Sequence, residues 1–176
     1  MPMVVRMLAE RELALLWTID RREYIANIYR LHGDELVVEP HHFDVPGWQA
    51  GQEAATTPRL HEALGRGGEA WAVFDGDTLV GAAVIDPQRA GVGRDLVKLE
   101  WLHVSRDYRG KGLGSLLFEK ARQAARQRGA AGLYISATPS QNTVDFYRSR
   151  GAALVTTPDP ELLALEPDDI HLEWRS

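Results

Sequence analysis

The sequence of 176 residues contains no cysteine. That excludes a disulfide framework, thiolate metal ligation, iron–sulfur clusters and any covalent cysteine intermediate. Long apolar runs are also missing. The best candidate, Thr78–Ile85, is strand-length and far short of the ~18 residues that a membrane helix requires. Arg6, Glu10, Arg11 and Glu12 interrupt the place where a signal peptide needs an unbroken apolar core. Nor is there a surplus of positive charge. Twenty Lys and Arg against 25 Asp and Glu leave a formal charge of −5, which argues against non-specific phosphate-backbone binding. These absences predict a soluble, cytoplasmic protein that engages neither membrane nor nucleic acid.

What is present suits one globular domain over residues 1–176. The chain is 44% hydrophobic and 26% charged, and it is long enough to bury a core without covalent staples. Met3–Leu8 reads as a short strand. Leu13, Leu16, Trp17, Tyr24, Ile25, Ile28 and Leu31 recur at steps of three and four, predicting a helix over Glu10–Leu31 with an interruption or kink at Asp20 and the Arg pair after it. Leu36–Trp48 reads as a strand and then a loop. Pro58–Leu64 reads as a short helix stopped by Gly65, Gly67 and Gly68.

Ala70–Phe74 and Leu79–Ile85 flank Asp75-Gly76-Asp77, a hairpin signal. Their near-continuous apolar character predicts burial on both faces. Asp95–Val104 follows as a third strand, Gly112–Arg128 as an amphipathic helix ending at Gly129, and Leu133–Ala137 as a strand. Ser140–Arg150 reads as a helix, and Ala153–Val155 and Ile170–Trp174 as strands separated by a Pro- and acid-rich loop. The mixture is an α/β or α+β domain around one sheet.

Between a predicted strand and a predicted helix stands Arg109-Gly110-Lys111-Gly112-Leu113-Gly114. Glycines there let backbone N–H groups approach a ligand, and the positive end of the next helix favours an anion. The segment is thus a candidate pyrophosphate cradle, with Arg106, Arg109 and Lys111 as neighbouring cations. Neither the Walker A spacing nor the dinucleotide fingerprint fits it. His41-His42-x-Asp44 lacks further ligands at metal-binding spacing, and Gly65 stands where a zinc-protease string starting at His61-Glu62 needs its second histidine. No metal site is expected.

Taken together, Leu99-Glu100-Trp101-Leu102-His103-Val104, then Arg109–Gly114, then Asn142 with Phe146-Tyr147 and Gly151 resemble the GCN5-related N-acetyltransferases in order and spacing. The order of the remaining elements extends the resemblance over roughly residues 3–175. It implies a mixed, mostly antiparallel sheet flanked by helices and splayed between the strand ending at Val104 and the strand Leu133–Ala137. It implies acetyl-CoA as acyl donor and an amine as acceptor. The amides of Arg109, Gly110, Lys111, Gly112, Leu113, Gly114 and Ser115 would hold the pyrophosphate. The main chain of Leu102, His103 and Val104 would run beside the pantetheine arm, Asn142 would contact that arm, and Tyr147 would touch the cofactor and act as general acid.

The chemistry supports the role of Tyr147 independently and calls for a base as well. A phenol of pKa about 10 stays protonated at neutral pH and can donate to a departing thiolate. An amine of pKa near 10.4 must lose a proton, and Glu100, a carboxylate in an apolar strand, is the candidate base. A carboxylate that opens to solvent or pairs with Lys98 or an Arg is the plainer reading of Glu100, and His103 is the competing base. Alternation puts His103 on the opposite face unless a bulge intervenes.

The acceptor side falls, by the same resemblance, between two acidic segments: Asp34, Glu35, Glu39, Asp44 and Glu53, then Asp159, Glu161, Glu166, Asp168 and Asp169. They predict a cationic acceptor, with Trp48 as an aromatic wall. A non-catalytic acyl-CoA sensor of the same fold, and a nucleotide-phosphate binder, are the alternatives. Edge pairing through the C-terminal strand offers a route to a homodimer.

Overall fold

A computed structural model describes residues 2–176. Seven strands form the main sheet: β1 (Met3–Met7), β4 (Glu69–Asp75), β5 (Thr78–Ala90), β6 (Leu96–Val104), β7 (Gly132–Ala137), β9 (Ile170–Arg175) and β8 (Ala153–Leu154), in that spatial order. All neighbours are antiparallel except β6 and β7. Helix α2 (Leu113–Gln127) and helix α3 (Gln141–Arg148) lie over one face. Helix α1 (Gln52–Gly65) and a 3-10 segment, Glu10–Thr18, cover the other. Both faces of β4 and β5 are accordingly buried, as their apolar sequences require. No helix of the described residues is long and apolar enough to cross a membrane.

The first predicted helix is corrected. Only Glu10–Thr18 is helical, and of the 3-10 kind. The chain then turns at Asp20–Arg22 into strand β2 (Glu23–His32), which pairs with β3 (Glu35–Val45) in a separate two-stranded arm. An irregularity between Ile25 and Asn27, opposite His41 and His42, disturbs the twofold alternation. The extra residue is on β3, where His42 has φ of +51°, while on β2 the buried Ile25 and Ile28 stand three residues apart, imitating a helical step. Tyr24 and Leu31, counted on the helix face, are about half exposed. Helix α1 begins six residues before the predicted Pro58, through a polar stretch with little apolar periodicity to report it. The short helix α4 (Pro160–Leu165) was not anticipated. Its signal was legible, because Asp159 caps the amides of Glu161 and Leu162 and Pro160 occupies the first turn.

The C-terminal strand is not a free edge. β9 pairs with β7 along its whole length and with β8 at Leu172 and Glu173, so the homodimer route proposed through it is closed at those residues. The arm is moored on the β7–α3 side. Tyr29 N–H donates to the Pro139 carbonyl at 2.8 Å, and the Tyr29 hydroxyl donates to Asp145 at 2.6 Å.

Candidate active site

β6 and β7 are paired only from Leu96↔Gly132 to Leu99↔Ile135, although β6 continues to Val104 and β7 to Ala137. Beyond Leu99 the two strands part, and a cleft of about 750 Å³ opens there. The parting starts at a bulge. Leu99 faces Ile85 and Trp101 faces Val84, so Glu100 is the extra residue. Before it, Val97 and Leu99 pack toward α2 and α3. After it, Leu102 and Val104 lie on that face, while Trp101 packs with the 3-10 segment and α1. The bulge therefore reverses the alternation and brings Glu100 and His103 to the same side.

One end of the cleft is built for an anion. Gly110 and Gly112 have φ of +73° and +84°, conformations that strain any residue with a Cβ. They turn the chain so that Gly112 caps α2, whose first amides have no intrahelical acceptor. Gly114 is needed for a different reason: a Cβ there would lie 2.9 Å from the Phe146 ring. Gly110, Gly112, Gly114 and Ser115 line the cleft. Lys111 and Leu113 contribute only backbone to the turn, since the Lys111 ammonium sits 5.0 Å above the Tyr108 ring and Leu113 is buried in the core.

Arg109 also departs from its expected use as a neighbouring cation. Its guanidinium turns back to donate to the carbonyls of Val104 (2.9 Å), Arg22 (3.1 Å) and Asp20 (3.3 Å), tying the end of β6 to the entry of the arm. The Val104 carbonyl is thereby already engaged. Sequence reasoning missed Arg150, which lines the cleft, stacks 3.8 Å over the Phe146 ring and donates to the Ser115 hydroxyl. It places a cation beside the amides of α2.

Helix α3 supplies the other wall. Ser140 caps it, and Asn142 and Tyr147 project from it into the cleft. The Tyr147 ring packs edge-on against Phe118, 5.6 Å away, and burial alone pushes its phenol above the ordinary value. It therefore remains protonated throughout the physiological range.

The acceptor side is of mixed sign rather than uniformly acidic. Of the ten acids named from the sequence, Glu166 and Asp169 reach the cleft. Asp34 and Glu35 lie at a shallower depression beside α3, and Asp159 is buried as the cap of α4. Arg59, which no sequence signal singled out, lies 3.5 Å from both Glu100 and Glu166. Lys98 lies 3.1 Å from Glu100 and 3.6 Å from Glu166.

Of the two readings of Glu100, the structure bears out the ion-paired one: it is the buried partner of Lys98 and of an arginine, Arg59, its side chain 4% exposed. Even so, Glu100 Oε1 and Glu166 Oε2 are buried without a hydrogen-bond donor. His103 packs against Trp101 and Trp48, with ring centroids 4.6 and 5.0 Å away. Burial, and then the charges of Arg21 and Arg109, bring it down to about 3. Trp48 itself stacks on Trp101 and donates to the Ile19 carbonyl, and so belongs to the packing behind the cleft rather than to its wall. Among the described residues no three His, Asp or Glu side chains are grouped for a metal ion.

A splayed sheet, an amide-lined turn and a buried phenol are the parts that the resemblance implied. No curated protein matches the sequence. Solved structures do match the fold. A nourseothricin acetyltransferase superposes with a TM-score of 0.72 at 17% identity over 99% of both chains. The PaiA N-acetyltransferase of Thermoplasma acidophilum, solved with coenzyme A, gives 0.65 at 16% over 100% of both. The ribosomal-protein-S18-alanine N-acetyltransferase of Escherichia coli gives 0.61 at 15% over 99% of this chain and 94% of that one. The model of the Acetyltransferase (GNAT) family matches residues 25–152, and the chain belongs to that family of acyltransferases.

Proposed function

We propose that the protein moves the acetyl group of acetyl-CoA to a primary amine on a cationic small molecule or peptide, by direct attack in a ternary complex. The observation that carries this reading is the single cleft that runs from the amide-lined turn, past Tyr147, to Glu100 and Glu166, each with one carboxylate oxygen that faces a cation but accepts no hydrogen bond. The residues present suit coenzyme A. Backbone N–H groups from Gly110 to Ser115, with Arg150 beside them, would hold a pyrophosphate. Leu102 and His103 would offer main chain to the pantetheine arm where β6 has left β7, and Asn142 would contact that arm. Bound there, acetyl-CoA supplies an activated thioester.

Tyr147 would donate its proton to the sulfur as the carbon–sulfur bond breaks. Glu100 Oε1 and Glu166 Oε2, which accept no hydrogen bond, would receive N–H groups of the acceptor, an interaction that favours a cation. With no cysteine in the chain, the acetyl group has no thioester route through the protein, so the amine attacks directly.

The test is thermal shift with acetyl-CoA, followed by CoA release with cationic, neutral and acidic amines. A raised melting temperature and a preference for cationic amines support the reading. Better turnover of neutral or acidic amines contradicts the acceptor class. A shift with no turnover of any amine favours a non-catalytic acyl-CoA sensor.

A further inference from the structure

An ammonium must lose a proton before its nitrogen can attack, and the carboxylates and imidazole around the cleft are unequal in their capacity to take it. Glu100 lies between Lys98 and Arg59, so a proton accepted there weakens two ion pairs. Glu166 faces the same two cations. Glu23 is paired with Arg21 at 2.5 Å and with Arg109 at 3.7 Å. His103, enclosed by two indoles and flanked by arginines, is too weak a base.

Asp169 differs from all of these. It lines the same cleft, is partly buried, and has no ion-pair partner among the described residues. It stands immediately before Ile170, which pairs with Ala137, the last residue of β7. That is the side of the sheet opposite the outgoing part of β6, across the opening where the strands have separated.

We infer that Asp169 is the catalytic base that takes the proton from the acceptor ammonium, while Glu100 and Glu166 bind that ammonium and hold it in place. The inference rests on the acetyl-transfer reading and deepens it. The groups that face Asp169 are Glu166 and Asp168 on its own loop, Lys98 on β6 and Arg59 on α1. Burial, and the like charges of Glu166 and Asp168, outweigh the two cations and push its carboxyl up to about 6. A base in that range is ionised at neutral pH and still holds a proton better than an ordinary carboxylate.

The balance is complete. One proton leaves the ammonium for Asp169 and passes on to solvent. The nitrogen lone pair forms the bond to the acetyl carbon, the carbon–sulfur bond breaks, and the sulfur takes the Tyr147 proton. The second proton lost by the nitrogen restores Tyr147.

The test is the pH dependence of kcat/KM with a cationic amine and acetyl-CoA, for wild type, Asp169→Asn, Asp169→Glu and Glu166→Gln. Wild type should rise through an acid limb near pH 6. Asp169→Asn should lose that limb and fall about 100-fold in kcat, with Asp169→Glu restoring part of both. Glu166→Gln should keep the limb and move it to lower pH, because one of the charges that raise Asp169 is gone. An Asp169→Asn enzyme with the wild-type limb overturns the inference and leaves acetyl transfer standing. So does a limb that Glu166→Gln does not move. A wild type that turns over no amine overturns acetyl transfer and this inference with it.

Discussion

The Glu100 carboxylate lies 3.1 Å from the ammonium of Lys98, two residues back along the same strand, and both side chains are more than nine-tenths buried. Two buried charges cost solvation, and breaking one of them is expensive because its partner stays buried. Glu100→Gln should therefore lower stability by about 3 kcal/mol in urea denaturation at neutral pH. The amine KM should rise with it. A loss confined to kcat, at unchanged stability, would instead mark Glu100 as the proton acceptor.

Tyr147→Phe removes one hydroxyl from a ring that keeps its packing against Phe118. The expected result is a kcat lower by about 100-fold at an unchanged melting temperature and unchanged acetyl-CoA binding. Steady-state CoA release and thermal shift measure both. Wild-type activity in the variant rules out the phenol as the acid.

The loop that carries Glu166 and Asp169 is held from beneath. Buried Tyr134 and His171 share a 2.7 Å hydrogen bond between the hydroxyl and Nδ1, the Asp159 amide donates to the same hydroxyl at 3.1 Å, and His171 Nε2 is 3.0 Å from the Glu166 carbonyl. Tyr134→Phe strands these buried partners, at a cost of about 1–3 kcal/mol. Because the damage is under the acceptor side, the amine KM should rise while the acetyl-CoA KM holds. Equal increases in both would place the effect elsewhere.

Asp169 makes a prediction about stability with the opposite sign to that for activity. Its carboxyl is raised in the folded protein to about 6, so the protonated form is favoured by folding. That contribution is full below the unfolded value near 4 and is lost as pH rises through about 6. Asp169→Asn should therefore be more stable than wild type at pH 8 and equal to it at pH 4. Solvent reaches part of the side chain and screens the effect, leaving about 1 kcal/mol. Melting curves at the two pH values decide it, and a variant less stable at pH 8 contradicts the account.

The strands β4 and β5, the glycine turn and the helical place of the phenol were legible because each depends on local pattern: the apolar runs of β4 and β5, the spaced glycines 110, 112 and 114, and the Phe146-Tyr147 pair on one helix. The β2–β3 arm was not, because the buried residues of β2, Ile25 and Ile28, are spaced like those of a helix. Glu100 was legible as a carboxylate in an apolar strand, and Lys98 as its candidate partner, but which arginine joins them was not. Lys98 is near it in sequence, whereas Arg59 reaches it only through the packing of α1, and Glu166 joins the same two cations only through the loop after α4. The acidic reading of the acceptor side failed for the same reason. Charges counted along a segment do not say which of them the fold turns inward, and Arg59 and Lys98, which face the cleft's carboxylates, lie outside both acidic segments.

The central claim is acetyl transfer to an amine within this cleft. Incubation with acetyl-CoA and a di- or polyamine, with CoA release and the mass of the amine followed together, tests it most directly. The account predicts one acetylated amine for each CoA released. Release of CoA without an acetylated amine, or no release while acetyl-CoA still raises the melting temperature, would contradict it.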